Sequence, residues 1–261
     1  MLLYKREDGC CWICRQNGSL TREHKFKASG LREQHGDTTY YVVGGSFAGQ
    51  FRIAQSVTSN FLKFKPSICN RCNSNITQNA DRAFDTFREM VEELGGDDAA
   101  IVKVWQSKEF SVGTQSYLNL FRYFTKLLGC HLSDCDYPIP LRFSRFVSGQ
   151  SDRNSVWLNA HVHNDQLAST LNISGFVAQG GFVITSKKPN FSPVAIYSSV
   201  SFGRIQFAFH YRWTTIEKFI LYRKFPHFVQ ECKQASLTAL DNEMTDQELS
   251  KVGLHRYPTS T

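Results

Sequence analysis

Cys69-Asn70-Arg71-Cys72-Asn73-Ser74-Asn75-Ile76-Thr77 is followed by Ala83, Phe84, Phe87, Met90, Val91 and Leu94 at helical spacing, and Gly95-Gly96 ends the pattern. A cysteine pair therefore runs directly into an amphipathic helix. Upstream, Cys11-Trp12-Ile13-Cys14 repeats the same spacing, and Thr21-Arg22-Glu23-His24-Lys25-Phe26 lies between the two pairs. Each pair can wrap a tight turn that presents two thiolates about 2.3 Å from one ion, so Cys11, Cys14, Cys69 and Cys72 suit a closed, structural tetrahedral Zn²⁺ site. Taken alone, the four cysteines also suit a zinc ribbon used only for binding.

The whole pattern resembles the HNH, or ββα-metal, endonuclease family, over about residues 10–95. In that family the zinc pairs flank a hairpin ending in Asp-His, and a helix follows the second pair. The resemblance implies that residues 21–26 form the hairpin strand and that His24 is the general base. It further implies that Glu23 and Asn73 hold a catalytic Mg²⁺ or Mn²⁺, and that Asn60 is the middle asparagine that orients the base. Three departures stand out. Glu23 occupies the place of the commoner aspartate, and its longer arm moves the ligand oxygen outward. Asn73 stands where many members carry a third histidine, as in the phage endonuclease VII type. The interval from His24 to Cys69 exceeds that of the compact motif. The implied chemistry is single-metal phosphodiester hydrolysis, with the cation on the scissile phosphate and His24 taking a proton from the attacking water. An imidazole with a pKa of about 6.5 is neutral enough for that task.

The net charge is +7, and residues 1–90 hold 13 Lys and Arg against 8 Asp and Glu, so the motif-bearing third carries most of the excess. Arg22, Lys25 and Lys27 flank the expected base, Arg71 and Arg82 lie near the second cysteine pair, and Lys63 and Lys65 just precede it. Singly, each reads as an ordinary solvated charge. As a group they favour a nucleic-acid partner, double-stranded DNA first, bound in a salt-dependent way. Cys10, Cys130, Cys135 and Cys232 form no regular framework, and a chain of 261 residues can bury enough surface to fold without disulfides. The start Met1-Leu2-Leu3-Tyr4-Lys5-Arg6-Glu7-Asp8 lacks the apolar stretch of a signal peptide, and no run reaches membrane-spanning length. The expectation is a soluble cytoplasmic protein with no membrane partner.

The fold class expected is α+β: a zinc-stapled ββα-metal core over residues 1–96, then a mixed helical and antiparallel β domain over residues 97–261. Residues 37–59, rich in Gly, Ser, Thr and aromatics, read as an inserted hairpin or a loop over the groove. Residues 98–107 and 114–129 predict helices, and 155–163, 174–186, 192–200, 202–212 and 216–223 predict β-rich segments. Residues 246–254 predict a short helix. Asp81 and Asp85 are expected as surface pairs. His161-x-His163-x-Asp165 and Cys130-His131 with Cys135 are weak metal patterns, since strand alternation alone produces the first and the second lacks a fourth partner. Phe176, Phe182, Phe202, Phe207, Phe209, Tyr211 and Trp213 alternate as core residues do. The C-terminal part is expected to select the substrate, form a homodimer or sense a signal. A setting in restriction or another antiviral defence fits this architecture by analogy. Two alternatives stay open: a junction-type, structure-selective nuclease, and a catalytically silent zinc-containing nucleic-acid-binding protein.

Overall fold

The computed structural model describes residues 2–36, 40–44, 52–162, 176–179, 183–187, 192–202 and 204–241. In chain order these form β1 (Leu3–Tyr4), β2 (Leu20–Thr21), α1 (Ala28–His35), β3 (Tyr40–Gly44), β4 (Arg52–Ala54), β5 (Ile68–Cys69), α2 (Gln78–Glu93), α3 (Asp98–Gln106), α4 (Gln115–Asp134), β6 (Ile139–Pro140) and α5 (Leu141–Val147). There follow β7 (Val156–Val162), β8 (Phe176–Gln179), β9 (Val183–Lys187), β10 (Ser192–Phe202), β11 (Ile205–Arg212), α6 (Thr215–Lys224) and α7 (Pro226–Asp241). The class is α+β. One seven-stranded sheet runs β4-β3-β8-β10-β11-β7, with β9 also on β10, and two-stranded sheets join β1 to β6 and β2 to β5.

Helix α4 organises the molecule. Every side chain from Asn119 to Ser133 is buried, as happens when a helix is covered on all sides. Against it lies α2, whose Phe84 stacks on Tyr123 with ring centroids 4.3 Å apart and meets Phe124, Phe202 and Phe207 edge-on. The core thus passes from α2 through α4 to the sheet without a gap at residue 96. Phe202, Phe207, Phe209, Tyr211 and Trp213 are all buried, as their alternation predicts; the side chains of Phe176 and Phe182 lie outside the described residues. β3 and β4 pair antiparallel and join the large sheet through a parallel pairing of β3 with β8.

Residues 216–223, read as β-rich from their aromatic and β-branched content, are helical in α6. A capping box decides it: Thr214 Oγ1 accepts from the Glu217 backbone N–H, and the Glu217 carboxylate accepts from the Thr214 N–H at 2.8 Å. The expected helix at 246–254 lies outside the described residues.

Gly129, in the middle of α4, is required by contact. A Cβ there would sit 2.4 Å from the buried ring of Trp12. Glycine inside a helix ordinarily costs about 1 kcal/mol relative to alanine, so Gly129→Ala would stabilise an uncrowded helix. Here overpacking reverses the sign, and the variant is expected to lose about 1–3 kcal/mol in chemical denaturation.

His131, also on α4, is buried with Nε2 3.1 Å from Ser198 Oγ, and burial lowers its pKa to about 3, with Lys25 adding to the effect. The unfolded chain protonates this residue near pH 6.5, so the stability it contributes is whole above that pH and falls as pH drops from about 6.5 towards 3, by up to about 1.4 kcal/mol per pH unit. Urea denaturation at pH 5 against pH 7 is expected to show the loss, and His131→Gln to shrink it.

Candidate functional site

The first cysteine turn closes through Arg15 N–H to Cys11 O at 2.8 Å and Cys11 N–H to Gln16 O at 3.0 Å, with Arg15 in the left-handed region at φ 61. The second leaves β5 and enters a wide helical turn at Cys72–Ile76, closed by Thr77 N–H to Cys72 O at 3.0 Å. The four sulfurs come together: Cys14 Sγ and Cys69 Sγ are 3.8 Å apart, and all four lie within 4.8 Å of one another. A tetrahedron with Zn–S bonds of about 2.3 Å has edges of about 3.8 Å. Cys11 is pulled down to about 5, chiefly by the hydrogen bond from Cys72, while the Cys72 thiol is pushed up. An all-sulfur set of this spacing fits Zn²⁺. Among the described residues no other group of three His, Cys, Asp or Glu converges in this way. The weak pattern of Cys130, His131 and Cys135 accordingly has Cys130 and His131 in the core and Cys135 exposed. His163 and Asp165 lie outside the described residues.

The cysteine cluster sits at one end of an antiparallel ladder. Leu20 pairs with Cys69 and Thr21 with Ile68; farther along, Phe64 N–H donates to Glu23 O at 2.9 Å and Lys25 N–H to Leu62 O at 2.7 Å, with a bridge between His24 and Lys63. Alternate side chains then meet different partners. Thr21 Oγ1 receives Asn73 Nδ2 at 3.2 Å and donates to Ile68 O at 2.9 Å. Glu23 Oε1 is 3.1 Å from the Lys126 ammonium, and Asp81 Oδ1 holds the same ammonium at 2.6 Å. Burial works against the charge on Lys126, yet Glu23 and Asp81 outweigh it and its pKa rises. Burial likewise raises Glu23, with Lys126 opposing.

On the alternate positions, Arg22 Nη1 donates to Asn60 Oδ1 at 2.7 Å, and His24 bonds the backbone of Val57. His24 Nε2 is buried and makes no hydrogen bond. Burial lowers the His24 pKa, and the Lys63 ammonium lowers it further. The lowered pKa favours the neutral ring near pH 7.

Several expected placements change in detail. Asn60 accepts from Arg22, and the imidazole of His24 donates to the Val57 backbone carbonyl instead. Lys27 is tied to Asp85 and to the Asp81 carbonyl at 2.7 Å, which removes it from the set of free phosphate contacts. Asp81 and Asp85, expected as surface pairs, belong to this half-buried network instead, because α2 turns them towards Lys126 and Lys27. Lys25 lies 5.7 Å over the Phe64 ring, whereas Arg22, Arg71 and Arg82 are exposed. Lys126 escaped the sequence reading, although a lone lysine in Leu120-Phe-Arg-Tyr-Phe-Thr-Lys126-Leu-Leu128 is a signal. The Val57 carbonyl leaves none, because any residue supplies it.

Comparison with protein-family models, curated proteins and solved structures returns no match.

Proposed function

We propose that the chain is a zinc-stapled, metal-dependent endonuclease of the HNH kind, hydrolysing nucleic-acid phosphodiester bonds with His24 as general base. One observation carries this reading: the His24 imidazole, whose pKa burial lowers, keeps Nε2 buried and without a hydrogen bond. An unsatisfied buried nitrogen is costly unless something is to bind there, and an unprotonated ring nitrogen is what general-base catalysis needs. Asn73 Oδ1 and Glu23 Oε2 are the oxygens left over by the bonds to Thr21 and Lys126, and they would hold Mg²⁺ or Mn²⁺; because His24 occupies the alternate ladder positions, the reading requires the scissile phosphate to reach both faces of the strand. Such an ion, when bound, supplies positive charge to the scissile phosphate. Exposed Arg22, Arg71 and Arg82 would draw the phosphate backbone towards the ladder.

A second reading has its own support. The Lys126 ammonium already neutralises Glu23, which favours a catalytically silent zinc-containing nucleic-acid-binding protein. Nicking of supercoiled plasmid in Mg²⁺ separates the two. The nuclease reading expects nicking by the wild-type chain and a loss of about 10²–10⁴-fold in His24→Ala, at unchanged zinc content. Absence of nicking by the wild type across Mg²⁺, Mn²⁺ and pH sinks it in favour of the silent protein. Branched against linear duplexes then show whether structure selects the substrate.

A further inference from the structure

The outer face of the large sheet carries a row of aromatic rings that the hydrolytic site does not use. Along β11 the inward residues Phe207, Phe209 and Tyr211 are buried, so His210 points outward between its neighbours. The register sets His210 opposite Trp157 on β7 and opposite Tyr197 on β10. The three rings line up across three adjacent strands: Trp157 and His210 are 6.2 Å apart with planes 9° off parallel, and Tyr197 and His210 are 6.5 Å apart at 25°. Cross-strand pairing accounts for neighbouring aromatics. It does not account for leaving Trp157 65% exposed and Tyr197 37% exposed.

Charge says what such a row faces. β7, β10 and β11 contain no Asp or Glu, and exposed Arg212 lies two residues beyond His210. Two residues before Trp157 the chain lines an open cleft of about 1030 Å³ whose walls include Arg142, Arg145, Arg153, Ser151 and Ser155 and no carboxylate. Arg142 is held there by the buried Glu217 at 3.2 Å. A cationic cleft and an aromatic row joined by the stretch Ser155 to Trp157 are the two elements that bind single strands, cations for the phosphates and rings that stack on bases.

We propose that this surface binds single-stranded nucleic acid, with unpaired bases on Trp157, His210 and Tyr197 and phosphates along Arg142, Arg145 and Arg153. The surface is separate from the His24 site, so it stands whether or not the nuclease reading does. The nuclease reading would gain from it a preference for substrates with unpaired segments.

Binding is tested by fluorescence anisotropy on the full-length, zinc-loaded His24→Ala chain, which cannot confuse binding with cleavage. The probes are a fluorescein-labelled oligothymidylate of about 20 nucleotides and a duplex of the same length, a span that exceeds one stacking site. The single strand is expected to bind more tightly than the duplex. Adding Trp157→Ala is expected to weaken single-strand binding about tenfold while Trp157→Phe keeps most of it. Arg145→Ala with Arg153→Ala is expected to reduce the slope of log K against log salt by about 1.4, two phosphate contacts at about 0.7 each. Equal affinity of the Trp157→Ala and parent chains, tighter binding of the duplex, an unchanged salt slope, or binding of a neutral polysaccharide in place of the oligonucleotide overturns the proposal. Trp157 is exposed, so loss of its ring leaves the core intact and circular dichroism verifies the fold. Failed nicking together with Trp157-dependent binding removes the nuclease alone.

Discussion

Cys72→Ser, or removal of zinc by a chelator, is expected to unfold the part of the chain that carries His24. Cys11 and Cys72 are fully buried, and the turn that bears Cys11 also presents Trp12 to Gly129 of α4. Tyr4 and Ser144 fasten that turn to α5 by hydrogen bonds to the Trp12 carbonyl, the latter at 3.0 Å. The cluster thus joins the ladder to the core as well as to itself. Structural zinc contributes about 10–16 kcal/mol in small zinc domains, against a total stability of about 5–15 kcal/mol for a folded protein. Losing one of four ligands is therefore on the scale of the whole. Thermal denaturation by circular dichroism, with metal content measured on the same samples, is expected to show zinc at one per chain in the wild type and a collapsed transition in Cys72→Ser. A wild-type melting profile in a zinc-free variant contradicts the assignment.

The second large effect is expected at Lys126. Its ammonium is wholly buried and is shared by Glu23 and Asp81. Lys126→Ala removes the cation that pairs with Glu23 and leaves two carboxylates facing each other under poor solvation. Breaking a buried ion pair from one side costs about 3–5 kcal/mol. Lys126→Met combined with Glu23→Gln and Asp81→Asn is expected to recover much of the loss, because the three charges vanish together and similar volumes remain. Urea denaturation of the single and triple variants measures it. A Lys126→Ala chain as stable as the wild type would show that the ammonium reaches water in solution.

How much of this was legible in the residues depends on whether the determining interaction is local. Helix α2 and the cysteine pairs were readable because periodicity and spacing are local, and β10 and β11 because alternation is. Residues 216–223, expected as β-rich, are helical: Ile216, Phe219, Ile220 and Tyr222 favour strands by propensity, but the Thr214 and Glu217 cap, itself local, outweighs them. Residues 37–59 read as either a hairpin or a loop, and within them β3 pairs antiparallel with β4; the parallel docking of β3 on β8 has no local signal, since that contact joins segments more than 130 residues apart. At the site, the sequence placed His24 beside Glu23 on one extended segment. It gave no sign that a lysine more than 100 residues later pairs with that carboxylate, or that a backbone carbonyl holds the imidazole.

Chemical rescue tests the role of His24 most directly. With zinc bound and Mg²⁺ present, His24→Ala is expected to nick plasmid about 10²–10⁴-fold more slowly than the wild type, and imidazole added to the buffer is expected to restore part of the rate as its neutral fraction rises with pH. Nicking by His24→Ala at the wild-type rate, with or without imidazole, contradicts the assignment of His24 as the base.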